Sequence, residues 1–150
     1  MLNEEKINSL KKSDCHIHPD FSIDAKSSAE EYVKRALEIG LERICFTTHI
    51  DLDPHRAAAD LYINIDGNWQ IPDENAVRTY FFRIDNLRRK YGDEIEIVAG
   101  FEFSFEPHFA DKVGEFITNF KPEFTIGSVH AVEMLEITSR YFVPAAVRNF

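Results

Sequence analysis

A regular alternation of amphipathic segments and short apolar runs constrains the fold of this chain more than any other feature. In residues 28–40, 77–91 and 109–120, apolar side chains recur every three or four positions, which is the spacing of one buried helical face. Ser28 and Glu31 match a capping box at the start of the first segment. The sequence therefore predicts three amphipathic helices.

Short apolar runs separate or follow these helices. They lie at residues 43–48, 94–101 and 123–129, are too short for helices, and are rich in Ile, Val, Phe and Thr. A further buried strand is expected to end near His16 and His18. Strands and helices that alternate in units of this length favour parallel strands joined by right-handed crossovers and covered by helices. We therefore predict an α/β fold with about four parallel strands.

Length and composition indicate one ordinary domain over residues 1–150. Hydrophobic residues make up 44% of the chain and include 13 Phe, which is enough for a substantial core. The formal net charge of -9 repels a phosphate backbone, so no nucleic-acid partner is expected. No apolar run has the length of a membrane span, the N-terminal segment lacks a signal-peptide core, and two Cys are too few for a disulfide scaffold. We therefore expect a cytoplasmic protein without membrane contact.

Residues 50–72 form the one long gap between predicted elements. They mix apolar and polar residues without clean periodicity, and they contain the turn signal Asp66-Gly67-Asn68. A segment of this length in a compact domain is more often a lid or a pocket wall than a linker.

Imidazole or carboxylate side chains lie at the predicted C-terminal end of every strand of the sheet. They are His16 and His18 on the first strand, His49 on the second, Glu102 on the third and His130 on the fourth. Because the C-terminal ends of the strands meet at one rim in β/α barrels, we expect these residues to converge. Alternate side chains of a strand share a face and lie roughly 6.6 Å apart along it, so His16 and His18 can turn toward one cation. Asp14 shares that face, where it can orient an imidazole, and Asp24 in the following loop is a further ligand candidate.

The chemistry of these side chains indicates a transition-metal site. Four imidazoles and two carboxylates suit Zn, Mn or Fe better than Mg or Ca, because the alkaline-earth ions prefer shells made of oxygen. Glu102 lies between Phe101 and Phe103, where an unpaired charge is costly to bury, and it is the candidate bridge between two ions. Ions about 3.5–4 Å apart activate water and neutralise phosphoryl oxygens, so phosphoester hydrolysis is the expected reaction class.

Other reactive side chains have simpler interpretations. His-x-His pairs also occur as ordinary hydrogen-bonded residues, so the metal hypothesis depends on the coincidence of four strand ends. His55 and His108 are interpreted as surface groups, and Cys15 and Cys45 as small core residues. Arg56 is one of several cations that can reach a substrate phosphate.

Four segments together resemble the polymerase and histidinol phosphatase (PHP) superfamily, in its histidinol-phosphatase branch. They are DCHIHPDFSIDA, FTTHID, GFEFSFEP and IGSVHAVEMLEIT, and they extend from residue 14 to about residue 138. The resemblance implies the N-terminal half of a distorted (β/α)7 barrel, a cluster of two or three metal ions, and hydrolysis of L-histidinol phosphate in histidine biosynthesis. It thus implies a small phosphorylated substrate.

The resemblance also implies a role for each candidate ligand. His16 and His18 bind the first metal, Glu102 bridges the first and second, His130 binds the second, and Asp24 and His49 bind the third. We assign Glu102 and His49 as the catalytic candidates. The implied metals are Zn, Mn or Fe.

The end of the chain departs from the pattern of the superfamily. Its members continue past the fourth strand with further units that supply more ligands, whereas this chain ends at Phe150 with YFVPAAVRNF. We therefore expect a single PHP-type domain truncated at its C-terminus, with an incomplete ligand set. Its outer strands then have unpaired edges, which favours either a homodimer that covers them or marginal stability. Two functions stay open: a metal-dependent phosphatase, and a non-catalytic half-barrel that binds a partner and retains part of the metal site.

Overall fold

The computed structural model describes residues 11–56, 58–132 and 135–136. The expectations for the extreme N-terminal segment and for the YFVPAAVRNF stretch concern residues outside these ranges. The strands are β1 (Ser13–Ile17), β2 (Arg43–Ile50), β3 (Ile63–Ile65), β4 (Asn68–Gln70), β5 (Glu96–Ser104), β6 (Phe124–Ser128), β7 (Ala131–Val132) and β8 (Leu135–Glu136). The helices are α1 (Ala29–Glu38), α2 (Glu74–Tyr91) and α3 (Ala110–Phe120), with short 3-10 helices at Ala58–Leu61 and Pro107–Phe109.

The main sheet is parallel and has the strand order β1-β2-β5-β6. Helix α1 connects β1 to β2, α2 precedes β5, and α3 connects β5 to β6. The predicted α/β architecture with about four parallel strands is confirmed. Because all four strands run in the same direction, their carboxyl ends lie along one edge of the sheet, which is where open α/β sheets bind ligands.

Side-chain caps decide where the first two long helices begin. The Ser28 hydroxyl accepts the N–H of Glu31, and the Glu31 carboxylate accepts the N–H of Ser28, so the predicted capping box is confirmed. Helix α2 begins before its apolar stripe because the Asp73 carboxylate accepts the N–H of Ala76. No described helix has the length and apolar character that a membrane crossing requires.

The helices pack on the sheet through one continuous apolar core. Val33 of α1, Tyr80 of α2 and Phe116 of α3 are all buried in it. The Tyr80 hydroxyl donates a hydrogen bond of 2.9 Å to the Gly100 carbonyl. At Gly100 the strands approach so closely that a Cβ atom would lie 2.2 Å from the carbonyl oxygen of Phe124. A glycine is therefore required at this position to keep β5 and β6 paired.

The segment between β2 and α2 contains a β-hairpin that the sequence pattern did not predict. Strands β3 and β4 pair in antiparallel fashion, and Asp66 and Gly67 form their turn with φ of 53° and 86°. Two consecutive residues with positive φ are typical of a type I′ turn, so the predicted turn is confirmed. Ile63 and Ile65 are buried in the core, which anchors the hairpin to the domain.

Candidate metal centre

Glu102 lies at the centre of the site with its side chain only 3% exposed. Its Oε1 atom is 3.3 Å from His16 Nε2 and 3.6 Å from His130 Nε2. Its Oε2 atom is 2.8 Å from His18 Nε2 and 3.6 Å from His49 Nδ1. The four imidazoles predicted from the strand ends thus converge on one carboxylate, with two of them on each oxygen.

The strand register explains this convergence. His49 of β2 lies directly opposite Glu102 of β5 in the parallel ladder. Because side chains alternate along a strand, Phe101 and Phe103 enter the helix-covered core, where both contact Phe116, while Glu102 points to the other face. The carboxylate is therefore carried into the interior by the same strand that builds the core.

Asp24 lies next to His18, as expected for a neighbouring ligand candidate. Its Oδ2 atom is 2.9 Å from His18 Nδ1. The other ring nitrogen, Nε2, is buried and makes no hydrogen bond of acceptable geometry within the described residues, despite its closeness to Glu102. A buried imidazole nitrogen that lies beside a carboxylate oxygen without a hydrogen bond between them is suited to sharing a cation with it.

The charges of these groups depend strongly on one another. Burial opposes protonation of His18, but Asp24 and Glu102 outweigh it and raise the pKa of His18 to about 9. The hydrogen bond to His18 in turn lowers the pKa of Asp24. Burial alone would raise the pKa of Glu102, but contacts with His18, Ser128 and His16 hold it below its usual value. Both carboxylates are therefore anionic at neutral pH.

His49 and His130 stack with their ring centroids 4.8 Å apart. Ser104 Oγ lies 2.8 Å from His130 Nδ1 and 3.4 Å from His49 Nε2, and it donates a 2.8 Å hydrogen bond to Asp51 Oδ2. Burial, together with the neighbouring His130, lowers the pKa of His49. The neutral form that this shift favours is the one with a free lone pair for a metal.

Sequence reasoning missed three polar residues that orient the candidate ligands. Ser104 and the buried Asp51 hold His49 and His130, and the Ser128 hydroxyl donates to Glu102 Oε1. Ser104 is two residues beyond Glu102 on β5, so strand periodicity was a usable signal for it.

All six predicted metal ligands take part in three overlapping sets whose ligand atoms lie within 4.8 Å of one another. The sets are His16, His18 and Glu102; His18, Asp24 and His49; and His49, Glu102 and His130. Imidazole nitrogens and carboxylate oxygens at this spacing match the donors that Zn²⁺ and similar ions take in proteins. The residues present therefore fit a transition-metal centre.

An open cavity of about 420 Å³ adjoins these sets. Arg56 and Asp60, from the long segment after β2, line it together with the candidate ligands, so this segment forms a pocket wall. Arg56 Nε lies 3.0 Å from Asp51 Oδ2, and its terminal nitrogen lies 3.5 Å from Asp60 Oδ2. These contacts keep the guanidinium at the cavity.

Two remaining predictions concern β1 and its neighbour. Asp14 Oδ1 accepts the backbone N–H of His16 at 3.1 Å, so this contact is to the main chain and not to an imidazole. Cys45 is buried, as expected for a small core residue, whereas Cys15, whose sulfur lies 3.2 Å from that of Cys45, is only partly buried.

The sequence of this chain is similar to those of known proteins. A family model described as PHP domain matches residues 14–148. Histidinol-phosphatase of Lactococcus lactis subsp. lactis is 30% identical over 128 residues, which are 85% of this chain and 42% of the relative. Histidinol-phosphatase of Bacillus subtilis is 26% identical over 133 residues, which are 88% of this chain and 47% of the relative. The chain thus spans less than half the length of these curated relatives.

Solved structures give the same result for the fold. The crystal structure of histidinol phosphate phosphatase from L. lactis, in complex with Zn, L-histidinol and phosphate, matches with a TM-score of 0.71 and 30% identity, over 88% of this chain and 45% of that chain. A putative histidinol phosphatase from Listeria monocytogenes has a TM-score of 0.66 at 20% identity, over 81% of this chain and 46% of that chain, which supports the fold alone. The predicted half-barrel is confirmed, and the chain belongs to the PHP domain family.

Proposed function

We propose that this chain carries the N-terminal part of a metal-dependent phosphoester hydrolase of the histidinol-phosphatase type. The observation that supports this most directly is the buried Glu102, whose two oxygens each face a pair of imidazoles. A carboxylate in that position is able to bridge two cations, as two-metal phosphatases require. The complex of the L. lactis relative with Zn, L-histidinol and phosphate supports the same reaction.

The three overlapping sets suggest how the ligands divide between ions. His16 and His18 would hold a first ion with Glu102, His130 a second with Glu102, and Asp24 and His49 a third. We infer two or three ions of Zn, Mn or Fe. Such ions lower the pKa of bound water and polarise phosphoryl oxygens.

The protein's own contribution is to orient and charge these groups. Asp24 fixes the ring of His18 through Nδ1, and Ser104 holds His130 through its Nδ1 atom. Second partners of this kind set the direction of the ligating lone pair. Glu102 and His49 face one another at the centre of the site, so we assign them as the residues on which turnover depends most.

The proposed substrate is a small phosphomonoester, with L-histidinol phosphate as the first candidate and histidine biosynthesis as its context. The 420 Å³ cavity beside the ligand sets is of a size suited to a small molecule. Arg56 lines this cavity, where its guanidinium, already paired with Asp51 and Asp60, would be a cationic contact for a bound phosphate.

Phosphate release from L-histidinol phosphate tests this proposal. The 150-residue chain is loaded with Zn, Mn or Fe and assayed with the variants Glu102→Gln and Glu115→Gln. Glu102→Gln keeps the shape of the side chain but removes its buried charge, so we expect turnover to fall by more than about 100-fold. Glu115 is exposed on α3, and its variant serves as the matched control. Equal turnover of Glu102→Gln and the unchanged chain would refute the assignment.

A second candidate function is a non-catalytic half-barrel that binds a partner and retains part of the metal site. The open sheet of the described residues, with β1 and β6 as its outer strands, is the observation that favours it. Bound metal, lost in Glu102→Gln, without phosphate release from any metal form would favour this alternative.

We also infer a homodimer that covers the outer strands. Strands β1 and β6 have one neighbour each in the main sheet as described, and residues such as Ser13 and Thr125 on them are exposed. Unpaired strand edges promote pairing with a second chain. Light scattering coupled to gel filtration should give the mass of two chains, and a monomer at all concentrations would exclude the dimer.

A further inference from the structure

A second cluster of ligand-type side chains lies outside the six residues discussed above. It consists of Asp53, His55 and His108 and is called the Asp53 cluster here. The side chain of Asp53 is 4% exposed, whereas those of His55 and His108 are 55% and 35% exposed. Both histidines reach the surface, as the sequence suggested, yet both also contact a buried carboxylate.

The three ligand atoms form a nearly equilateral triangle. Asp53 Oδ1 lies 3.1 Å from His55 Nδ1 and 3.1 Å from His108 Nε2, and the two nitrogens are 3.4 Å apart. A tetrahedral Zn²⁺ ion with bonds of about 2.0–2.1 Å holds its ligand atoms about 3.3–3.4 Å apart. The triangle thus has the dimensions of three ligands on one ion, and its exposed side leaves the remaining position to water.

Hydrogen bonding by itself explains the arrangement poorly. Asp53 Oδ1 also accepts the backbone N–H of His55 at 2.9 Å, so three nitrogens surround one carboxylate oxygen. For both rings to donate, each must carry its proton on the nitrogen that faces Asp53, and neither ring can then accept from the other across their 3.4 Å contact. A cation would satisfy all three ligand atoms together, because it accepts a lone pair from each ring and balances the charge of the carboxylate.

The surroundings hold the cluster in place. The N–H of Asp53 donates a 2.9 Å hydrogen bond to Asp51 Oδ1, which fixes the loop after β2. Glu106 Oε2 lies 3.6 Å from His108 Nδ1, behind the ring and away from Asp53. This contact is longer than a hydrogen bond, but it places a carboxylate on the side of the ring where metal-binding histidines commonly donate their second N–H.

We propose that the Asp53 cluster binds one transition-metal ion of the Zn²⁺ class, separate from the ions of the main site. Two nitrogens and one oxygen favour Zn²⁺ or Co²⁺ over Mg²⁺ or Ca²⁺. The ion joins the loop after β2 to the turn before α3. Asp51 in that loop also accepts a hydrogen bond from the Ser104 hydroxyl, which contacts His130. The ion therefore restricts the motion of Asp51, a residue that helps to position the main site.

Zinc binding by the intact chain tests the proposal without any activity assay. Zn²⁺ per chain and its affinity are measured by titration for the unchanged chain, for the double variant His55→Ala/His108→Ala, for Glu106→Gln and for Asp111→Asn. Asp111 is an exposed acid at the start of α3, so its variant controls for loss of charge in the same region. Circular dichroism in chelator checks that every variant is folded.

We expect the double variant to bind one Zn²⁺ fewer than the unchanged chain, and Asp111→Asn to bind the same number. Glu106→Gln should keep the ion but bind it about tenfold more weakly. The ¹⁵N resonances of His55 Nδ1 and His108 Nε2 should shift when zinc is added, also in a His18→Ala chain whose main site is impaired. An unchanged number of ions in the double variant, or unshifted ring resonances, would overturn the proposal. Neither readout depends on phosphatase activity, so failure of the proposed function leaves this test intact.

Discussion

The ionisation of His18 should couple strongly to the stability of the metal-free fold. Its side chain is 17% exposed. Burial opposes its protonation, but Asp24 and Glu102 raise the pKa of His18 to about 9, from 6.5 in the unfolded chain. The folded state therefore binds this proton more tightly than the unfolded state does. The resulting stabilisation is fully present below about pH 6.5 and is lost as the pH rises through about 9.

The size of the effect follows from the difference between the two pKa values. The rise of the His18 pKa from 6.5 to about 9 corresponds to a stabilisation of about 3 kcal/mol, of which about 2 kcal/mol is lost between pH 7 and pH 9. Asp24 is 49% exposed, and solvent screening of its charge reduces its share. We therefore expect the free energy of unfolding to fall by about 1–2 kcal/mol over this interval.

Urea unfolding in the presence of a chelator measures this loss at pH 7, 8 and 9. The comparison is between the unchanged chain and His18→Gln, which lacks the titrating ring. Burial and the contact with Cys15 raise the pKa of Cys45 to about 12, which also lowers stability near pH 9, but this contribution is common to both chains. The lowered pKa of His49 places its titration below the interval. Parallel pH profiles for the two chains would refute the coupling of His18 to the carboxylates.

Further predictions concern metal binding, the sheet and a helix cap. Zinc binding at pH 7 should release about one proton from His18, because a metal needs the neutral ring. Calorimetry in two buffers of different ionisation enthalpy measures the number of protons released. Equal binding heats in the two buffers would contradict the prediction. Gly100→Ala should destabilise the fold by more than about 2 kcal/mol, since its Cβ would lie 2.2 Å from a carbonyl oxygen of β6. Thermal unfolding measures this loss against Gly114→Ala, whose Cβ meets no atom within 4 Å and which should not be destabilised. Ser28→Ala should cost about 1 kcal/mol in the same assay through loss of the capping box, whereas Ser27→Ala should not.

The parts of the fold that the sequence predicted well are those specified by local pattern. Helix stripes and apolar runs follow from periodicity, and parallel strands follow from their alternation. The convergence of His49 and Glu102 then needed only one further step, since parallel strands present their carboxyl ends together. The structure confirms this expectation, because these two residues are paired in the β2–β5 ladder.

The parts that the sequence did not predict depend on contacts between distant segments. Strands β3 and β4 have three residues each, too few for a periodic signal. Asp51 and Ser104 are 53 residues apart, and nothing local to either indicates their hydrogen bond. The contact between His55 and His108 also spans 53 residues and arises where a loop and a 3-10 turn meet. Such contacts require the tertiary structure.

The packing of β5 explains why the central carboxylate of the main site is buried within the fold and does not lie on its surface. Side chains 97, 99, 101 and 103 of this strand are buried, and they share the face that packs under the helices. Residue 102 is then forced to the opposite face of a central strand, where Glu102 is equally buried. A carboxylate there is tolerable only with compensating partners, which His16, His18, His49 and His130 supply. Because apolar alternation fixes the position of Glu102, any sequence that keeps this core and this carboxylate must also keep hydrogen-bond donors, positive charge or metal around it.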